Sequence, residues 1–376
     1  TLLPRNVTIT SSRFDSNGGD GLDVETDGNI LVTNSSAGSN SINGMSLKNN
    51  GMTGVGTVTV TATGSNFASF IGNALYGLTI ASNRNILVNR VETDSNTAGL
   101  GISGDGPSAN GNVTITNTRS FYNMGTGVNV ETRGKVFIDR VDSTDNSGFG
   151  LRLVNTSSVD RSILIQRSNF VSNSLSGLLI FSANPVNLNN INASSNVDYG
   201  VTVNNTYGPG MPVSVTSGFG PNLFSNNGWT GLLVLSSGPI SLGNVTANGN
   251  GRNGVSLNNY NSGTGAGNIT LNNVTANSNI GTEAGIYAGI SATTNGQVIG
   301  SNLRAMLNGT GTAGWGIYIK TVNNNASLSN SVVTSNRNSG IFAYLETTGV
   351  LNLSNVFYFG NDAGGGAADP EVRVIN

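Results

Sequence analysis

Apolar residues in this chain recur in short alternating runs, and the runs come in sets. In residues 112–134 (NVTITNTRSFYNMGTGVNVETRG), Val113 and Ile115 alternate with Thr114 and Thr116. A polar stretch then ends at Asn123, Gly127 follows, and Val128 and Val130 open a second alternation. Residues 162–184 repeat the pattern with Asn173 and Gly177 in the matching places, and residues 325–349 repeat it with Asn336 and Gly340. The alternation keeps a period of two and never 3.6, so the units are strands. Their spacing, about 26 residues, is too short for a strand–helix–strand crossover and return.

Strands of this length cannot bury a face alone, so the repeats are expected to stack as rungs of a parallel β-helix. The period predicts about fourteen rungs of three short strands, in residues 112–134 at 113–116, 118–121 and 127–130. In the middle strand, Val91 and Thr93, Val141 and Ser143, and Val245 and Ala247 are expected to face inward. An Asn recurs at one turn of most rungs: Asn17, Asn40, Asn96, Asn123, Asn146, Asn173, Asn196, Asn250, Asn279, Asn336 and Asn361. Asn tolerates the left-handed backbone region, and stacked amides can hydrogen-bond in a ladder. A glycine shortly after it, such as Gly127, is expected to supply backbone freedom before the third strand. A second Asn column includes Asn34, Asn117, Asn190, Asn244 and Asn273. The pattern runs through residues 1–376 without a linker, which predicts one solenoid domain.

This pattern resembles the right-handed parallel β-helix repeat of pectate-lyase-like enzymes, phage tailspikes and many bacterial surface proteins. The resemblance implies the fold and leaves the activity open, because the scaffold hosts unrelated functions. Its polygalacturonase-like members use a Gly-His-Gly segment with adjacent aspartates, and its pectate-lyase-like members an Asp-His motif. This chain has no His, so neither set can be built. An acid-only hydrolase of tailspike type is the surviving enzymatic alternative.

Composition narrows the function further. Only 10% of residues are charged, the net charge is −2, and there is no Cys. Disulfide and thiol chemistry are absent, and without basic runs nucleic acid is not an expected partner. No apolar run is long enough for a membrane span. The chain starts at Thr1 with no leader in view, which suggests a mature or excised segment of an extracellular or cell-surface protein.

Several clusters invite chemistry. Asp15, Asp20, Asp23, Glu25 and Asp27 could supply calcium ligands, but their spacing spreads them round one rung, so a solvated acidic patch is expected and no cofactor is assigned. Glu92, Arg119 and Asp142 should stack on the outer face of consecutive middle strands. Two rungs separate the carboxylates, about 9.6 Å, at the edge of the range for an inverting glycosidase. With Arg119 between them, a surface ion ladder is the expected reading. Arg90, Arg140 and Arg167 could hold an acidic sugar, but neighbouring Asp139, Asp142 and Asp160 offer local pairing, so a solvated surface is expected. Tyr76, Phe149, Tyr199 and Trp315 precede rung glycines and could stack on glycans or pack over the turn. A Thr-x-Thr column for ice binding fails at Phe137 and Leu164, and N-x-S/T sequons are no commoner than chance in so Asn-rich a chain.

The favoured reading is a structural subunit or adhesin that assembles head to tail with itself; a glycan-binding or depolymerising spike is the alternative. Open strand edges at the ends of a solenoid invite another chain. Residues 371–376, with Val372 and Val374 on one face, are expected to pair beyond their own rung. Tyr287, Tyr318 and Phe342 on third strands, with Phe357 and Phe359 on a middle strand, are expected to form an exposed contact surface.

Overall fold

A computed structural model describes residues 5–49, 56–104, 110–156, 161–260, 267–281, 287–309, 314–322, 324–346, 348–361 and 371–375. Among them every element is a β-strand, and every named strand pairing is parallel. The chain forms two compact units, Thr1–Ile180 and Phe181–Asn376. Counted over both, fourteen strands make up the third-strand set and twenty-one the first and middle strands, which agrees with the expected rung number.

In the first unit a representative rung consists of Val113–Thr116, Arg119–Phe121 and Val128–Thr132. Equivalent residues lie directly over one another, as in Ile86↔Val113↔Val136↔Ile163. All of these are fully or almost fully buried, as is the third-strand column Leu100, Val128 and Leu151. Alternate residues face out, so the burial string of Val128–Thr132 switches at every step. The period of two that marks the sequence is this inside–outside alternation. The inward positions of the middle strand are Val91 with Thr93 and Val141 with Ser143, all buried as expected.

The second unit repeats the plan with its own columns, Val186↔Val213↔Ile240↔Ile269↔Val298↔Ala326↔Leu351 and Val201↔Leu232↔Val255↔Ile290↔Ile317↔Ile341↔Val372. Here the first and middle strands often run together as one element, for example Ile240–Thr246. A single left-handed residue inside the element makes the corner, Asn244 at φ +50°.

Each rung turns two such corners. The first is made by Ser11, Asn34, Arg90, Asn117, Arg140 and Arg167 in one unit, and by Asn190, Asn244, Asn273, Asn302, Asn330 and Asn355 in the other. Asn predominates because its short polar side chain tolerates this region better than other residues with a Cβ. The second corner corrects the sequence reading. The left-handed residue is not the recurring Asn but the one before it: Ser16, Ser39, Ser95, Tyr122, Asp145 and Ser172, then Ser195, Asn226, Ser278, Leu307 and Ser335. The Asn itself turns its amide inward.

The rung glycine also has a different reason from the expected one. Gly127 is not among the glycines with positive φ. A Cβ there would lie 2.6 Å from Asn146 Nδ2 and 2.2 Å from Ser143 Oγ. The position must be glycine so that the next rung's amide can approach.

Candidate functional site

The feature that organises both units is a ladder of buried amides. Asn123 shows the pattern: its Oδ1 accepts the backbone N–H and the Nδ2 of Asn96, each at 3.1 Å. Its own N–H and Nδ2 donate to Asn146 Oδ1 at 3.1 and 2.9 Å, and Nδ2 also reaches the Thr93 carbonyl at 3.3 Å. In the first unit the ladder runs Asn17, Asn40, Asn73, Asn96, Asn123, Asn146, Asn173. In the second it runs Asn196, Asn227, Asn250, Asn279, Asn308, Asn336, Asn361. An amide lost from the interior would leave donors of its neighbour buried and unpaired.

Counted from the preceding strand, the sequence puts the ninth rung's Asn late, at Asn226 or Asn227, and Asn308 one place off, and it leaves out Asn73, because insertions shift the count. The structure seats Asn73, Asn227 and Asn308 in the ladder. Counting back four residues from Gly77 and Gly231 would have placed the first two. Sequence reasoning missed Glu371, whose carboxylate receives the N–H and Nδ2 of Asn361.

The outward face of the first unit holds the predicted charge column. Ser69, Glu92, Arg119, Asp142 and Asn169 are register partners in succession. Arg119 lies 4.0 Å from Glu92 and its guanidinium sits 4.5 Å from the Phe67 ring centroid. Burial pushes both carboxyls, Glu92 and Asp142, above the usual range, while Arg119 pulls each down. Arg167 grips Asp139 with two bonds of 2.7 and 2.6 Å. Arg140 approaches the same carboxylate at 3.9 Å and donates to Asn117 at 3.1 Å. The cations of this face are thereby tied to local partners, with Arg90 beside them at the same corner of an earlier rung. What the column can do as arranged is pair charges across rungs.

The first acidic cluster is dispersed. Asp15 pairs with Arg13 and accepts the Gly38 N–H, Asp20 accepts the N–H and side-chain amide of Asn43, and Asp23 meets Lys48 at 3.3 Å. Among the described residues no group of three His, Cys, Asp or Glu side chains converges on one point.

The predicted contact aromatics divide. Tyr287 and Tyr318 are buried, each 9% exposed, rather than forming an outer patch. Tyr318 lies under Phe342 in a near-parallel stack, 5.5 Å between centroids, with Trp315 against both rings and Arg373 over Phe342. Rings on adjacent rungs cover one another, which the alternation alone cannot reveal. Phe357 and Phe359 are exposed as expected, at 60% and 63%. Val374 is exposed and Val372 half-buried, and their strand, Val372–Ile375, is seated on Ile341–Glu346 as the third strand of its own rung. Of the other aromatics, Tyr199 meets Trp229 edge to face at 5.1 Å, and Arg252 stacks 3.9 Å above Trp229. No described helix is long and apolar enough to cross a membrane.

A family model described as a right-handed beta helix region matches residues 51–216. The chain is a right-handed parallel β-helix. Among solved structures, this β-helix is similar to the A-module of the mannuronan C-5 epimerase AlgE6 from Azotobacter vinelandii. The identity is 12%, with 93% of this chain and 91% of that one covered and a TM-score of 0.42. The AlgE4 A-module from the same organism gives 14% identity, 95% and 89% coverage and a TM-score of 0.37. No curated protein matches the sequence.

Proposed function

We propose that this β-helix is a structural repeat protein of the extracellular or cell-surface kind, an adhesin or fibre subunit whose copies associate end to end. The observation that carries the reading is the strand Leu351–Phe359. One edge is paired with Ala326–Thr334 over eight register positions, and no partner lies along its other edge among the described residues. Phe357, Tyr358 and Phe359 are exposed at 60%, 42% and 63%. An open strand edge with exposed apolar side chains is a template for another chain.

The occupant with the right chemistry is a second copy. Its first strand, Val7–Thr10, has Val7 over Ile30 and Ile9 over Val32, the rung positions that Leu351 and Leu353 hold here. A contact between unlike ends is heterologous and need not close, and where it does not close it continues into a filament. Glu371 already closes the amide ladder, so the contact would form along Leu351–Phe359. Sedimentation and negative-stain microscopy of the whole chain test this. Concentration-dependent polymers that dissolve in a Phe357→Asp, Phe359→Asp double variant are expected; a monomer at every concentration overturns the reading.

A further inference from the structure

The second unit carries a cavity that the fibre reading does not use. It measures about 450 Å³ and lies beneath the loop that follows the strand Val201–Asn205. The next two third strands, Leu232–Ser236 and Val255–Asn258, form its floor, with Leu235 paired to both Asn204 and Asn258. Pockets of roughly 300–1,000 Å³ hold small organic ligands.

The cavity is built into the fold. Thr206 folds back on Asn204, its hydroxyl donating to Oδ1 at 2.7 Å. A Cβ at Gly208 would lie 2.2 Å from the Ala183 carbonyl, so only glycine lets the loop lie against that turn. The Ser237 hydroxyl, 8% exposed, bridges the carbonyls of Asn205 and Gly208 and pins the loop from the other side. Tyr207 is held by its edge against Phe181, 6.2 Å between centroids at 83°, and stays 54% exposed. Binding there would need little ordering of the wall, which favours affinity.

The lining chemistry selects the ligand. Tyr207, Pro209 and Leu235 give apolar surface, and Asn258, Thr206 and Ser237 give amide and hydroxyl groups. Asn258 Oδ1 already accepts the Tyr260 N–H at 2.9 Å, which turns its Nδ2 to donation. No Asp, Glu, Lys or Arg lines the cavity. A charged ligand would lose water there without a counter-charge, and a purely apolar one would leave the amide and phenol unpaired. A ring with one apolar face and a rim of uncharged hydroxyls satisfies both constraints.

We propose that this cavity is a binding site for a neutral pyranose unit of a glycan, its apolar face on Tyr207 and a hydroxyl on Asn258. The site stands independently of end-to-end assembly.

The test is saturation-transfer NMR on the whole chain with methyl glycosides of glucose, galactose and mannose and their β-1,4-linked tetrasaccharides, against oligouronates as the charged comparison. At least one neutral probe binds. Tyr207→Ala weakens it about tenfold or more, the scale of a lost aromatic contact. Asn258→Ala weakens it several-fold, and Trp229→Ala, on another surface of the same unit, leaves it unchanged. Tyr207→Phe keeps the packing against Phe181 and retains most of the binding, which separates loss of the wall from loss of the fold. No neutral probe bound at about 10 mM, a preference for oligouronates, or binding indifferent to Tyr207→Ala would each overturn the proposal.

Discussion

Glu371 stands to Asn361 as each ladder asparagine stands to the one before it. Its carboxylate accepts the backbone N–H of Asn361 at 3.3 Å and also the Nδ2, the two donors that Asn336 gives to Asn361 one rung earlier. A carboxylate offers acceptors and no donor, so the ladder stops where it is placed. Glu371→Ala should release both donors and lower amide hydrogen-exchange protection at Asn361 by about tenfold, the effect of a bond to a charged group worth about 1.5 kcal/mol. Glu371→Gln keeps an acceptor and should retain most of it. Equal protection in the alanine variant and the parent would show that the carboxylate does not hold the end of the ladder.

Interior ladder positions should be far more sensitive than outward ones. Asn173 is fully buried and accepts the N–H and Nδ2 of Asn146, each at 3.1 Å. Asn169 faces solvent on the neighbouring strand. Asn173→Ala should cost about 2–3 kcal/mol through the donors it strands, and Asn169→Ala less than about 0.5 kcal/mol. Denaturant midpoints of the two variants compare them directly; equal midpoints would remove the ladder from the account of stability.

The second corner offers a stabilising change. Leu307 sits at φ +57° with 57% of its surface exposed. A branched apolar side chain gains nothing there and strains the backbone. Leu307→Asn should raise stability by about 0.5–1 kcal/mol and Leu307→Val should lower it by a similar amount or more. Thermal unfolding of both gives the sign.

The charge column has a pH signature. Glu92 and Asp142 are both raised chiefly by burial, so their protonated forms fit the fold better than their ionised ones. The favourable contribution is complete below the ordinary carboxylate range and is lost as pH rises through the raised values. Glu92→Gln and Asp142→Asn should therefore stabilise slightly at neutral pH, with the gain vanishing in acid. Midpoints measured across that range check it; a gain that grew on acidification would reverse the assignment.

The sequence carries the rung plan openly because inward columns such as Ile86, Val113 and Val136 impose a period of two, and the amide ladder imposes a second, longer period. The Glu92–Arg119–Asp142 register follows from that count. Less legible is anything that depends on how side chains lie across rungs. Tyr318 reads as an outward residue and is one; it is buried because Phe342 above it and Trp315 beside it close over the ring. The role of Glu371 escapes the repeat because it is a different residue type performing the same hydrogen bonding. The cavity under Tyr207 comes from the lengthened loop 206–212, between the strands Val201–Asn205 and Val213–Thr216, which periodicity registers only as a break.

The ladder also has a polarity in time. Each asparagine donates to an acceptor that lies later in the chain, Asn96 to Asn123 and Asn123 to Asn146. A chain emerging amino end first always carries one amide whose partner has not yet been made. Every rung is thus completed by its successor, and an interruption of synthesis leaves its unmet hydrogen bond at the growing tip, while the rungs behind it are already closed.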